Sequence, residues 1–175
     1  MKSLVIVSHP YPTQSKIIKS LQQTAEGIEN VEVRNLESLY GNNLNGFDVA
    51  AEQAAYEDID RIVFIYPTHW FNITPMLKAY LNEVWTYGWA FGPGGDALKN
   101  KQMLVVTSAG ASEYTYSHDG LIQSTMDEVL TPMKASALYV GMNYMKPLVF
   151  HDVAGANKPH IAQFQQKLLA ALSDK

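Results

Sequence analysis

Arg61-Ile62-Val63-Phe64-Ile65-Tyr66, closed by Pro67, is an apolar run in which polar and apolar positions do not alternate. A strand that hides both faces reads this way, and such strands belong to parallel sheets covered by helices on each side. Two more runs share the pattern. Lys2–Ser8 (KSLVIVS) ends at His9-Pro10, and Lys101–Thr107 (KQMLVVT) ends at Ser108-Ala109-Gly110. Val31–Arg34 and Ala137–Val140 are weaker strand candidates. Helical patterns fill the intervals. Ser15 suits the N-cap of a helix to about Ile28, with Ile17, Ile18, Leu21 and Ala25 on one face. Asp48 to Tyr56 forms a shorter one. Pro75 suits the first turn of a helix reaching Trp85, with Met76, Leu77, Tyr80, Leu81 and Val84 inward. Gly120 to about Pro132 and Pro159 to Leu172 complete the set. Strand and helix alternate throughout, which predicts one α/β domain over residues 1–175, an open doubly wound sheet.

The composition excludes several classes of function. Of 175 residues, 47% are hydrophobic and 17% charged, so the chain is globular rather than disordered. Thirteen basic against seventeen acidic residues give a net charge of −4. No basic tract exists to neutralise phosphates, which argues against nucleic acid as a partner. There is no cysteine, hence no disulfide, thiolate nucleophile or cysteine metal site. The five histidines form no metal-binding pair around a glutamate, so no metal is expected. Leu4–Val7 is too short for a signal peptide or a membrane span, which predicts a cytoplasmic protein with no direct membrane insertion. Aromatic residues reach 11%, with ten Tyr and three Trp. They fit a filled core, a subunit interface or a flat stacked ligand equally well.

Ligands of open α/β sheets bind beyond the carboxyl ends of the strands. Three loops leave those ends. His9–Lys16 runs from the first strand into a helix whose free N–H groups and dipole suit a phosphate, with hydroxyls from Thr13 and Ser15 and charge from His9 and Lys16. It fits neither of the glycine-rich phosphate loops, and a plain capped helix start is the alternative. Tyr66–Pro75 sets His69 beside two large rings, Trp70 and Phe71, which must pack on the domain, a second subunit or a planar ligand. Thr107–Ser112 is small-residue backbone that a ligand can approach closely. After it come Tyr116 and His118, able to polarise a carbonyl oxygen or simply to sit in a surface loop. Ser108 lies in Thr-Ser-Ala-Gly rather than a nucleophile elbow, which argues against a serine hydrolase.

Taken in order, these loops resemble those of the flavodoxin-like NAD(P)H:quinone oxidoreductases. The short bacterial branch is the nearest in pattern, the one with general stress protein 14 and the ancillary reductases of glutathione-gated potassium efflux systems. The matching segments are His9-Pro10-Tyr11-Pro12 with Ser15, Ala51-Glu52-Gln53, and Tyr66-Pro67-Thr68-His69-Trp70-Phe71 with Pro75–Lys78. Val84–Gly92, Thr107–Gly110 and Leu138–Met142 extend the match over nearly the whole chain.

The resemblance implies a flavodoxin-like three-layer sandwich, a five-stranded parallel sheet in order 2-1-3-4-5 with helices on both faces. It implies FMN at the carboxyl edge. FMN is expected rather than FAD, because the longer FAD-binding relatives carry C-terminal segments that this chain lacks. His9 and Ser15, Lys16, Ile17 and Ile18 would hold the phosphate. Pro67, Thr68, His69, Trp70 and Phe71 would line the isoalloxazine, and Thr107, Ser108, Ala109 and Gly110 its pyrimidine end. Tyr116 would balance charge on the reduced flavin, with His118 a loose substitute for a family histidine. Gln53 stands at a position that the FAD-binding relatives use near adenine. Two departures bear on flavin binding: Ile18 replaces a frequent Asn, and Ala109 replaces a Gly.

The implied activity is ping-pong hydride transfer from NAD(P)H as co-substrate to a small quinone-like acceptor. A homodimer is expected, with Trp85–Phe91 and the Trp70 loop as its aromatic surface. Two other readings remain: a regulatory subunit of a potassium efflux transporter with secondary reductase activity, and an electron-transfer flavodoxin. The mild −4 charge argues against the last.

Overall fold

The computed structural model describes residues 1–173; residues 174 and 175 of the expected domain lie outside it. Along the chain come β1 (Ser3–Val7), α1 (Lys16–Glu26), β2 (Val31–Asn35), α2 (Leu36–Tyr40), α3 (Val49–Ala54), β3 (Arg61–Pro67) and α4 (Pro75–Val84). β4 (Gln102–Ser108), α5 (Met126–Val129), α6 (Thr131–Tyr139), β5 (Asn143–Tyr144), β6 (Leu148–Phe150) and α7 (Lys158–Ser173) follow. The strands run parallel in the order β2-β1-β3-β4-β5, with β6 also pairing β4.

The three apolar runs are β1, β3 and β4, and they lack alternation because the sheet has a core on each face. Leu4, Ile6, Ile62, Phe64, Tyr66, Met103 and Val105 point to one side, beneath Met76, Leu77 and Tyr80 of α4 and Met133 and Ala137 of α6. Val5, Val7, Val63, Ile65, Leu104 and Val106 point to the other, under Ile17, Ile18, Leu21 and Ala25 of α1 and Leu168 and Leu172 of α7. Each such aliphatic side chain, fully buried, contributes about 1.5–3 kcal/mol. Ser15 caps α1 as its sequence suggests, accepting the Ile18 N–H at 3.1 Å. Thr74 caps α4 ahead of Pro75 in the same way.

The fifth strand departs from expectation. Ala137–Leu138–Tyr139, read from sequence as a strand, belongs to α6. Pro132 starts that helix, and Gly141 in a left-handed conformation (φ 76°) follows it. The segment expected to be helical from Gly120 is helical only from Met126, where Thr125 and Glu128 form a capping box. The strand itself comes later and in two pieces. Met103 pairs Tyr144 and Val106 pairs Leu148, so the edge advances four residues while β4 advances three. Met145–Pro147 thus form a bulge, at the one place where Pro147 has no N–H to donate. Trp85 also differs from expectation. It is buried in the core, its Nε1–H donating to the Tyr56 hydroxyl at 3.2 Å, so it presents no dimer surface.

Candidate functional site

The carboxyl ends of β1, β3, β4 and β6 open on a cleft of about 500 Å³, within the range of roughly 300–1,000 Å³ usual for small-molecule and cofactor sites. The β1 loop walls one end, contributing His9, Ser15, Lys16 and Ile17. Ser15 occupies the N–H of Ile18, which leaves the Lys16 and Ile17 amides of the first turn to meet an anion. The ring of His9 is fixed by the Tyr11 N–H donating to its Nδ1 at 2.9 Å, which places the proton of the neutral ring on Nε2. Burial first, then the neighbouring His69, with ring centroids 5.7 Å apart, hold the His9 pKa below 6.5.

A lowered imidazole pKa has a definite sign in stability. Between the folded and unfolded values the unfolded chain binds more protons, so stability falls as pH drops through 6.5. The ligand-free protein is therefore expected to melt at a lower temperature at pH 5.5 than at pH 7.5. His9→Gln should shrink that difference, and an unchanged difference would exclude His9 as its source.

The β3 loop forms the middle of the site. His69 and Asn72 exchange backbone hydrogen bonds at 3.3 and 3.1 Å around Trp70 and Phe71, which both have positive φ, 48° and 60°. Two left-handed residues in a two-residue hairpin make a type I′ turn, a turn that favours Asn-Gly. Bulky residues there cost about 1–2 kcal/mol each, and this turn holds Trp70 at 93% exposure. Replacing the pair with W70N/F71G should stabilise the fold by about 1–2 kcal/mol, read by urea denaturation. A destabilised variant would show that Phe71, against Tyr116 at 6.1 Å, matters more for packing than for strain.

Beneath the hairpin the hydroxyls are locked. Thr107 donates to the Tyr66 carbonyl at 2.8 Å and lies 2.7 Å from the Thr68 hydroxyl, which must then be the donor of that pair. Ser8 donates to Glu37 at 2.7 Å and meets Thr74, tying the end of β1 and the first turn of α2 to the start of α4. The far wall comes from Ser108 and Gly110. Ala109 is buried between them, its N–H donating to the Phe150 carbonyl at 2.9 Å. Its methyl group therefore points away from the cleft.

The expected residues divide as follows. His9, Ser15, Lys16, Ile17, Pro67, Thr68, His69, Ser108 and Gly110 line one cleft. Thr13 lines an adjoining one of about 370 Å³, where Ile18 offers only the edge of a side chain buried in the core. Thr107 and Ala109 support from below. Tyr116 is buried beside Phe71, and burial raises its pKa. His118 is on the surface, 2.9 Å from Glu128. Gln53 donates to the Val84 carbonyl at 2.8 Å and to Thr86 at 3.1 Å, a tie between α3 and the end of α4. Sequence reasoning missed Val153, Ala154, Ala156 and Ile161, which close the cleft, and His151 beside Tyr116. All follow β6, so placing the fifth strand at Ala137–Val140 hid the loop that leaves its true end. The run Leu148-Val149-Phe150 ended by His151-Asp152 was the available signal.

A family model described as flavodoxin-like fold matches residues 1–172. General stress protein 14 of Bacillus subtilis (strain 168) is 35% identical over 168 residues, covering 96% of this chain and 95% of that protein. The glutathione-regulated potassium-efflux system ancillary protein KefF of Salmonella newport (strain SL254) is 37% identical over 174 residues, covering 95% of each. Among solved structures, general stress protein 14 of Treponema denticola in complex with FMN superposes with a TM-score of 0.92 at 35% identity, over 98% of each chain. No helix among the described residues is long and apolar enough to cross a membrane, and no group of three potential metal ligands occurs among them.

Proposed function

The chain belongs to the family with the flavodoxin-like fold, and from that premise we propose that it is an FMN-dependent NAD(P)H oxidoreductase whose acceptors are quinones or similar electrophiles. The relative of known structure holds FMN at 35% identity over nearly the whole chain. The observation that carries the reading is the cleft itself. It has unpaired helix amides at one end and close-approach backbone, residues 67–69 with Ser108 and Gly110, at the other.

Bound FMN would supply the two-electron chemistry, taking hydride from NAD(P)H and passing it to the acceptor in two half-reactions that share one binding place. The protein's part is to bind, orient and exclude water. The Ser15 hydroxyl, the Lys16 and Ile17 amides and the His9 Nε2–H would hold the FMN phosphate. Thr68 to Phe71 with Ser108 and Gly110 would line its ring system, over Thr107 and Ala109. Trp70 offers an aromatic face to a flat co-substrate, and the Tyr116 hydroxyl faces the charge that builds during transfer. The reading takes residues 1–175 as one cytoplasmic domain that pairs with a second copy through Trp70, Phe71 and Tyr87, exposed by 93%, 43% and 69%.

Fluorescence titration with FMN, followed by anaerobic NADPH and then menadione, tests the proposal. Saturable binding, bleaching by NADPH and recovery with the quinone are expected; no binding overturns it. A second reading draws on the 37%-identical relative's designation as an ancillary protein of a potassium-efflux system. In that reading the chain regulates a transporter and reduces quinones secondarily. Co-purification with such a transporter would favour it.

A further inference from the structure

The adjoining cavity of about 370 Å³ lies at the carboxyl end of β2 and shares only His9 and Ser15 with the cleft. Part of its lining is fixed in place. Asn35, the last residue of β2, donates from Nδ2 to Gln22 Oε1 at 2.7 Å and accepts the Ser38 N–H at 3.0 Å. Gln22 in turn donates from Nε2 to Glu26 at 2.7 Å. The rest is uncommitted. The Lys19 ammonium and the Thr13 and Ser38 hydroxyls line the cavity and meet no partner among the described residues. No acid lines it. Glu37, beside Ser38 in sequence, accepts from the Ser8 hydroxyl, and its other carboxylate oxygen is shielded from solvent. One free cation with free hydroxyls and no counter-charge favours an anionic ligand. Ile18 and Pro12 add apolar surface to the same lining. In doubly wound folds that bind dinucleotides, the residue about twenty positions beyond the phosphate turn reads the adenosine ribose. An acid there takes the 2′-hydroxyl, and a nearby cation takes a 2′-phosphate. Asn35 stands at that distance from Ser15, with Lys19 on the same cavity.

We propose that this cavity takes the adenosine end of NADPH, and that Lys19, by pairing with the 2′-phosphate, makes NADPH the preferred hydride donor over NADH. The inference rests on the FMN-dependent reading above and deepens it by choosing between the two nucleotides. Ile18 and Pro12 give the purine ring an apolar seat. The Lys19 ammonium and the Thr13 and Ser38 hydroxyls donate to the 2′-phosphate. Because His9 and Ser15 border both cavities, one extended co-substrate reaches across them, its nicotinamide in the cleft and its adenosine on the β2 side. NADH brings a neutral hydroxyl to the same place. It forgoes the charge-assisted contact, which is roughly twice as strong as a neutral one. The isoleucine that departs from the family pattern at position 18 thereby has a use in this chain.

Calorimetric titration of the FMN-loaded protein with 2′,5′-ADP and with 5′-ADP reads the subsite without turnover. We expect 2′,5′-ADP to bind at least about tenfold more tightly, as a hydrogen bond to a charged group warrants, with no displacement of FMN. Lys19 is exposed on α1, so K19E should fold as the parent does. In K19E the difference between the two ligands should vanish. Steady-state kinetics give a second readout. K19Q should raise the KM for NADPH at least about fivefold while kcat holds, so that the kcat/KM ratio of NADPH to NADH falls by the same factor. Equal binding of the two diphosphates by the parent, or a K19E protein that keeps their difference, overturns the proposal and leaves the FMN reading intact. Competition between 2′,5′-ADP and FMN overturns it too, by placing the ligand in the cleft. Loss of FMN from K19E does the same, by assigning the lysine to the flavin phosphate. Failure of the parent protein to take up FMN overturns both.

Discussion

Gly110→Leu leaves the fold as it was and abolishes FMN uptake. A Cβ built on Gly110 meets no heavy atom within 4 Å, and the residue does not need the positive φ that would strain a substitution. Gly110 also lines the cleft, together with His9 and Pro67. A leucine there projects into space that the ligand needs and nothing else fills. The expected loss of affinity is at least about a hundredfold, or roughly 2.7 kcal/mol. Stability should stay within about 0.5 kcal/mol, the usual range for substitutions that touch nothing. Fluorescence titration reads the first and thermal melting of the ligand-free protein the second. Normal FMN binding by the variant would mean that the flavin lies elsewhere and that the cleft has another purpose.

The second large effect lies far from the cleft. Glu52 is fully buried, yet it accepts two hydrogen bonds from Arg34, Nε at 2.9 Å and Nη2 at 2.7 Å, and a third from the Tyr40 hydroxyl. The hydrogen bonds to Glu52 hold the Arg34 pKa above its ordinary value, while burial is the main reason that the Tyr40 pKa rises. This cluster joins β2, α2 and α3 at one side of the sheet. Arg34→Leu removes the cation and strands a carboxylate with no solvent, which should cost about 3–5 kcal/mol, much of a total stability of roughly 5–15 kcal/mol. The double variant R34L/E52L should recover most of that loss, because two apolar side chains carry no desolvation penalty. Urea denaturation of the single variants and the double variant decides it. A double variant no more stable than R34L would show that the pair contributes packing rather than charge balance.

Arg34 and Glu52 also mark the limit of what the sequence reveals. β1, β3 and β4 were legible because burial on both faces leaves an unbroken apolar run, and α1 and α4 because Ser15 and Pro75 stand where helix starts require them. Those elements indicated an open doubly wound sheet, and its 2-1-3-4-5 order came from the family resemblance that the loop motifs carry. The Arg34–Glu52 pair was not legible, since eighteen positions separate the residues and only the pairing of β2 with α3 brings them together. The fifth strand was misplaced for a local reason. Ala137–Val140 carries apolar residues without a polar break, while Lys146-Pro147 interrupts the true strand. Gly141, just past the end of α6, was the clue that a helix stopped there. At the cleft, the β1, β3 and β4 loops were found because they follow legible strands. His151 was missed because its strand was.

The bulge at Met145–Pro147 also decides how this protein meets its neighbours when crowded. An open sheet offers its outermost strand as a template on which another chain can add a strand of its own. Here that strand is cut to pieces of two and three residues, with a proline and a lysine between them. No extended segment can run along it in register, so strand-by-strand accretion into fibres is blocked at this edge. Filling the gap with a β-branched residue in place of Pro147 would lengthen the strand at the expense of that protection.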